Sequence, residues 1–108
     1  MARVFTKGRN RVAAYMMIAC KIHDRNAFLT GYSKAVAPLV AKMGGEYILL
    51  APGAQLLEGT LQGYSSVAMS KWPDKATALA FWESPEYAQA KKLRAGIADC
   101  DVILVEAP

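Results

Sequence analysis

Two short stretches of this chain are apolar on both of their faces, and a chain of this size has few ways to bury them. Ala13 to Ile22 reads AAYMMIACKI and Val102 to Glu106 reads VILVE. A strand packed on one side alternates apolar and polar residues, whereas these runs do not, so they need cover on both sides. The 108 residues are enough for one domain with its own core. Cover for the second face must therefore come from within that domain or from another molecule.

The segments between the two runs supply the rest of a sheet. Asp24 is a helix N-cap whose carboxylate can accept the free amides of a first turn. Phe28, Tyr32, Ala35, Val36, Leu39, Val40 and Met43 then recur at three- and four-residue steps, which predicts an amphipathic helix packed on a sheet. Pro38 lies inside it, lacks a backbone donor and crowds the carbonyl of Lys34, which predicts a kink or loosened turn there. Gly44-Gly45 ends the helix. Glu46 to Ala51 and Tyr64 to Lys71 read as the second and third strands, joined through Pro52-Gly53 and an irregular connection around Glu58-Gly59.

Asp74 caps a second helical region running from Lys75 to about Glu83, and Ser84-Pro85 restarts it, with serine at the cap and proline at the first helical position. Gly96 is a natural end, and VILVE is the fourth strand. The order is strand, helix, strand, strand, helix, strand. It predicts an α+β fold, a ferredoxin-like βαββαβ sandwich with a four-stranded antiparallel sheet and two helices on one face. Such a sheet leaves its other face bare, so apolar residues there predict a homodimer through the open sheet face.

Charge divides the chain. Arg3, Lys7, Arg9 and Arg11 precede the first strand, and the nine remaining basic residues match nine acidic ones. Residues 1–12 are read as a basic, flexible N-terminal arm and residues 13–108 as a single domain. An arm of this kind can touch phosphates, but the body has no basic stripe and no nucleic-acid motif, so nucleic acid is not an expected partner. No run is apolar for the roughly 18 residues a membrane span needs, and no cleavable leader is evident, so the expected location is cytoplasmic. Cys20 and Cys100 form no metal-like spacing and read as small core residues; a disulfide between them requires that their strands lie side by side.

The chain resembles the family known as domain of unknown function 1330, within the dimeric α/β-barrel group. The residues that carry the resemblance are Tyr15, Ile22 with Asp24, Phe28, Tyr32, Gly44-Gly45, Glu58-Gly59, Pro73, Trp82, Ser84-Pro85-Glu86-Tyr87 and Leu93-Arg94. The resemblance implies a ferredoxin-like protomer whose dimer forms a barrel, and no particular reaction. Related families in the group include cofactor-free monooxygenases, isomerases, haem-binding enzymes and ligand binders, and fold alone does not choose among them. Family members commonly place an arginine near the start of the third strand and end it with Phe-Pro. Here Gln62-Gly63-Tyr64-Ser65 and Trp72-Pro73 stand instead, so an anion site built on that arginine does not carry over.

Several residues could carry chemistry. His23, the single histidine, can accept a proton at the end of the first strand, or be a loop residue with an ordinary partner. Glu58 lies in sequence among Leu56, Leu57 and Leu61, where an apolar setting would raise its pKa and suit it to acid-base work; the alternative is a loop carboxylate that accepts backbone amides. Arg94 offers a planar fork for a carboxylate or other oxyanion, or pairs with Glu58, Glu86 or Asp99. Tyr15, Tyr32, Tyr64 and Tyr87, with Trp72 and Trp82, supply aromatic walls and hydroxyl groups for a ligand, or simply core. There is no glycine-rich phosphate loop, zinc motif or haem-attachment motif, so no cofactor or metal is expected.

These residues predict a small dimeric protein that binds a small organic molecule between sheet and helices, with Glu58, Tyr32, Tyr87 and Arg94 lining the pocket. The alternative is a cofactor-independent enzyme, monooxygenase- or isomerase-like, acting on a small aromatic or carbonyl compound. There, Glu58 or His23 would move a proton while Arg94 and tyrosine hydroxyls stabilised negative charge.

Overall fold

The computed structural model describes residues 12–108, so the basic arm expected over residues 1–12 lies, apart from Val12, outside the described residues. Four strands, β1 (Ala13–Ile22), β2 (Glu46–Ala51), β3 (Ser66–Trp72) and β4 (Ala98–Ala107), form one antiparallel sheet in the order β2-β3-β1-β4. The two-sided apolar run Ala13–Ile22 is thus a central strand. Helical segments α1 (Arg25–Ala27), α2 (Lys34–Lys42), α3 (Lys75–Trp82) and α4 (Pro85–Lys91) pack on one face, giving the α+β ferredoxin-like arrangement.

The caps fall where side-chain chemistry puts them. Asp24 accepts from the Ala27 amide at 3.1 Å and Asp74 from the Thr77 amide at 2.7 Å. Ser84 accepts from the Tyr87 amide at 3.1 Å and donates to the Phe81 carbonyl at 2.7 Å, so one hydroxyl closes α3 and opens α4. After α2 the Gly45 amide reaches back to the Val40 carbonyl at 2.9 Å while Gly44 takes φ of 100°, a left-handed turn that glycine adopts without strain.

Three boundaries differ from expectation. β3 starts at Ser66, not Tyr64, because Tyr64 belongs to the preceding turn, its amide bonded to the Leu61 carbonyl at 3.1 Å. β4 starts at Ala98, four residues before Val102: Asp99 and Asp101 have low strand propensity, but on an edge strand they point outward to solvent. α2 runs through Pro38 as regular α-helix, and the loosening lies earlier, in a π-helical turn over Phe28–Ser33 that ends just before Lys34, the residue whose carbonyl the proline ring crowds. Inside this turn the Thr30 hydroxyl donates to the Asn26 carbonyl at 2.8 Å.

Burial separates the two sheet faces. Toward the helices lie Ala14, Met16, Trp72, Val36, Val40, Phe81 and Tyr87, all buried. On the other face the register aligns Leu49 with Met69, Met69 with Met17, and Met17 with Ile103, an apolar row across all four strands. Met17 is 45% exposed, Leu49 42% and Ile103 62%. These residues account for the second apolar face of β1 and β4.

Candidate functional site

Between the helices and the sheet lies a cavity of about 370 Å³, within the range of small-molecule sites. Its walls are mainly apolar: Met16, Ile18, Val36, Val40, Phe81 and Val102 from sheet and helices, with Leu50 and Pro52 at the end of β2. Into this lining project Tyr32, Tyr47, Tyr87, Arg25 and Arg94.

The π-helical turn carries Tyr32 and the cap at Ser84 starts the helix that carries Tyr87. Their hydroxyl oxygens are 2.9 Å apart, and their rings meet edge to face with centroids 6.4 Å apart. Arg94, in the 3₁₀ turn Lys92–Arg94 after α4, places its guanidinium 5.4 Å from the centre of the Tyr32 ring and near enough to Tyr87 to interact with its phenol. Its Nε is covered and has no hydrogen-bond partner among the described residues. Burial, the largest single influence, disfavours the charged guanidinium, but Tyr87, Cys100 and Tyr32 together outweigh it and the pKa is raised, so Arg94 stays a cation. Burial pushes the Tyr32 phenol well above its ordinary range, as does its proximity to Tyr87, and burial also pushes Tyr47 up to about 12. Both phenols are therefore neutral, and that of Tyr32 lies beside the fixed positive charge of Arg94.

The sequence-predicted residues divide into two groups. Tyr32, Tyr87 and Arg94 come together on the cavity wall; the others do not. Glu58 is exposed on the loop before β3, where Leu57 is 87% exposed and Leu56 and Leu61 are exposed too, so the leucines around it in sequence form no apolar enclosure and it does not share the pocket. Arg94 accordingly lies against Tyr32 and Tyr87 rather than Glu58. His23 is exposed and contacts Asp99 across the β1–β4 end, with Nε2 2.9 Å from a carboxylate oxygen; Asp24, its neighbour in sequence, is occupied as a cap. Tyr15 points to the open sheet face opposite Val105 and Lys71, because odd positions of β1 face away from the helices. Tyr64 is half-buried outside the cavity lining.

Three features of the lining escaped sequence reasoning, the first being Tyr47 on β2. Arg25 donates to the Ser66 hydroxyl at 2.8 Å, a second cation on the wall; its place in the first turn after Asp24 was the available signal. Cys20 and Cys100 also line the cavity. They occupy directly opposed positions of β1 and β4, so the side-by-side condition for a bond between them is met, although both are free thiols here.

Comparison with solved structures gives the same fold at low identity. A protein of unknown function from Rhodopseudomonas palustris matches with a TM-score of 0.73 and 17% identity, over 92% of this chain and 85% of that one. A dimeric ferredoxin-like protein of unknown function from Jannaschia matches with a TM-score of 0.67 and 15% identity, over 88% and 99%. SnoaB, a cofactor-independent oxygenase from Streptomyces nogalater, matches with a TM-score of 0.65 and 13% identity, over 90% and 94%. Among curated protein sequences no match was found. The model for the domain of unknown function DUF1330 matches residues 13–108, nearly the whole described chain, and the protein belongs to that family.

Proposed function

We propose that the protein is a homodimer in which each protomer binds a small, largely apolar organic anion in the cavity between sheet and helices. The observation that carries this reading is Arg94: a guanidinium set into a mainly apolar wall, beside Tyr87 and over the ring of Tyr32, with its covered Nε lacking a partner among the described residues. A cation in such a setting favours a ligand whose carboxylate or enolate meets the planar fork while its hydrocarbon part fills the space beside Val36, Val40 and Phe81. The dimer reading rests on the row Leu49, Met69, Met17 and Ile103 and on the structural likeness to the dimeric Jannaschia protein. A cytoplasmic location goes with this reading, and no helix among the described residues is long and apolar enough to cross a membrane.

The binding test uses 1-anilinonaphthalene-8-sulfonate, an aromatic anion whose fluorescence rises in apolar surroundings. Saturable binding at one site per protomer, weakened roughly tenfold or more by Arg94→Met, is expected. Equal binding by the wild type and the Arg94→Met variant would remove the anion role.

A second reading, a cofactor-independent oxygenase or isomerase, is favoured by the likeness to SnoaB and by the Tyr32–Tyr87–Arg94 chain of donors. That chain is suited to holding negative charge as it develops on a carbonyl oxygen. Oxygen uptake with phenolic or enolisable aromatic substrates, lost in Arg94→Met, would select this reading over simple binding.

A further inference from the structure

Cys20 and Cys100 are paired in register across β1 and β4 and both face the cavity. Directly opposed residues of an antiparallel pair have Cα atoms about 4.5 or about 5.5 Å apart. Both spacings lie inside the window of roughly 4.4–6.8 Å that a disulfide accepts. Each thiol is the strongest influence on the ionisation of the other, and the Arg94 guanidinium acts on both. Neither cysteine is needed to explain the anion site, and neither behaves as an isolated core residue: Cys20 is buried while Cys100 is half-exposed.

We propose that Cys20 and Cys100 form a redox-active dithiol in the cavity wall, oxidised by a hydroperoxide to a cross-strand disulfide. Cys100 is the attacking residue, being the more accessible of the two. The neighbouring Cys20 thiol, with help from the Arg94 charge and against the opposing effect of burial, holds its thiol below the ordinary range, while the Cys100 thiol, together with burial, raises that of Cys20. The first proton is thus lost easily and the second is retained, because two thiolates in contact repel.

The Cys100 thiolate attacks one oxygen of the hydroperoxide; the O–O bond breaks, the sulfur becomes a sulfenic acid, and the alcohol leaves after taking up a proton. The Cys20 sulfur then attacks the Cys100 sulfur, the S–O bond breaks, and the hydroxyl leaves as water with the Cys20 proton. In total, two thiols and one hydroperoxide become one disulfide, one alcohol and one water; the two electrons lost by sulfur reduce the O–O bond. A small-molecule thiol returns the pair to the reduced form by exchange.

The inference goes beyond ligand binding and is independent of it. Full-length protein is treated with hydrogen peroxide, then examined by intact mass after denaturation and by thiol alkylation. The expected result is loss of two hydrogens and of both alkylatable thiols, without covalent dimers, reversed by dithiothreitol. Cys20→Ser is expected to trap the sulfenic acid as a dimedone adduct on Cys100, and Cys100→Ser to slow the reaction of the remaining thiol roughly tenfold or more. Thermal unfolding of both variants confirms that they are folded. The proposal is overturned if the wild type keeps both thiols, forms intermolecular disulfides instead, or if the two single variants react with peroxide at equal rates.

Discussion

The hydroxyl groups of Tyr32 and Tyr87 meet at 2.9 Å although the residues are 55 positions apart in the chain. One comes from a widened helical turn and the other from the first turn of a helix that Ser84 starts, and Arg94 joins them from the following turn. The contact therefore ties the two helical units of that single layer together at the point where the cavity is polar.

Removing one hydroxyl leaves the other group short of a partner in a buried setting. Tyr87→Phe is expected to cost about 1–3 kcal/mol, with Tyr32→Phe similar or smaller. The double variant should lose less than the sum, because the second deletion removes a group already stranded. Urea unfolding of the four proteins measures this coupling. Strict additivity would mean that the hydroxyls act independently.

Gly45 is required by the close approach of an aromatic ring. A Cβ at this position would stand 2.7 Å from the Trp72 ring, which is buried and held by a 2.9 Å bond from its indole N–H to the Ser70 hydroxyl. Gly45→Ala is expected to destabilise by about 1–3 kcal/mol, as overpacking does. Gly53→Ala supplies a contrast, since open space surrounds that position and only its backbone conformation resists the change. A shift in Tm and a change in tryptophan fluorescence for Gly45→Ala would identify ring displacement as the cause.

The open sheet face gives a prediction about assembly. A charge at Met17 or Ile103 interrupts the apolar row in its middle, so Met17→Glu or Ile103→Lys is expected to yield monomers by light scattering. Unchanged mass for both variants would place the dimer contact elsewhere. Each variant should still fold, since these side chains are solvent-exposed within the protomer.

Alkaline pH should loosen the fold through Tyr32 and Tyr47. Burial raises both phenols above their ordinary value near 10. A raised folded-state pKa means that the unfolded chain gives up its proton first. The stabilisation is complete below about pH 10 and is lost as pH rises toward and through about 12 for Tyr47. Urea unfolding between pH 9 and pH 11.5 is expected to show falling stability, and Tyr32→Phe should flatten the slope.

Local chemistry made much of this fold legible. Asp24, Asp74 and Ser84 each cap a helix with their own side chain, and the strands Ala13–Ile22 and Glu46–Ala51 are bounded by residues that break them. The site was legible only in part. Tyr32, Tyr87 and Arg94 lie on helical repeats whose apolar neighbours show which way they face. Glu58 misled because three nearby leucines look like an enclosure in one dimension, whereas the loop that holds them is open to solvent. The Cys20–Cys100 apposition depends on strand order and register, which no local pattern encodes.

The alternation along β1 has one more consequence. Met16 is buried among the helices and Met17, the next residue, stands on the open face opposite Met69 and Ile103. A single inserted or deleted residue in this strand would exchange the two sets, sending cavity-lining side chains to the outer face and the apolar row into the core. β1 can therefore change letters but not length, and a relative with one residue more or fewer between Ala13 and Ile22 must absorb it in a bulge.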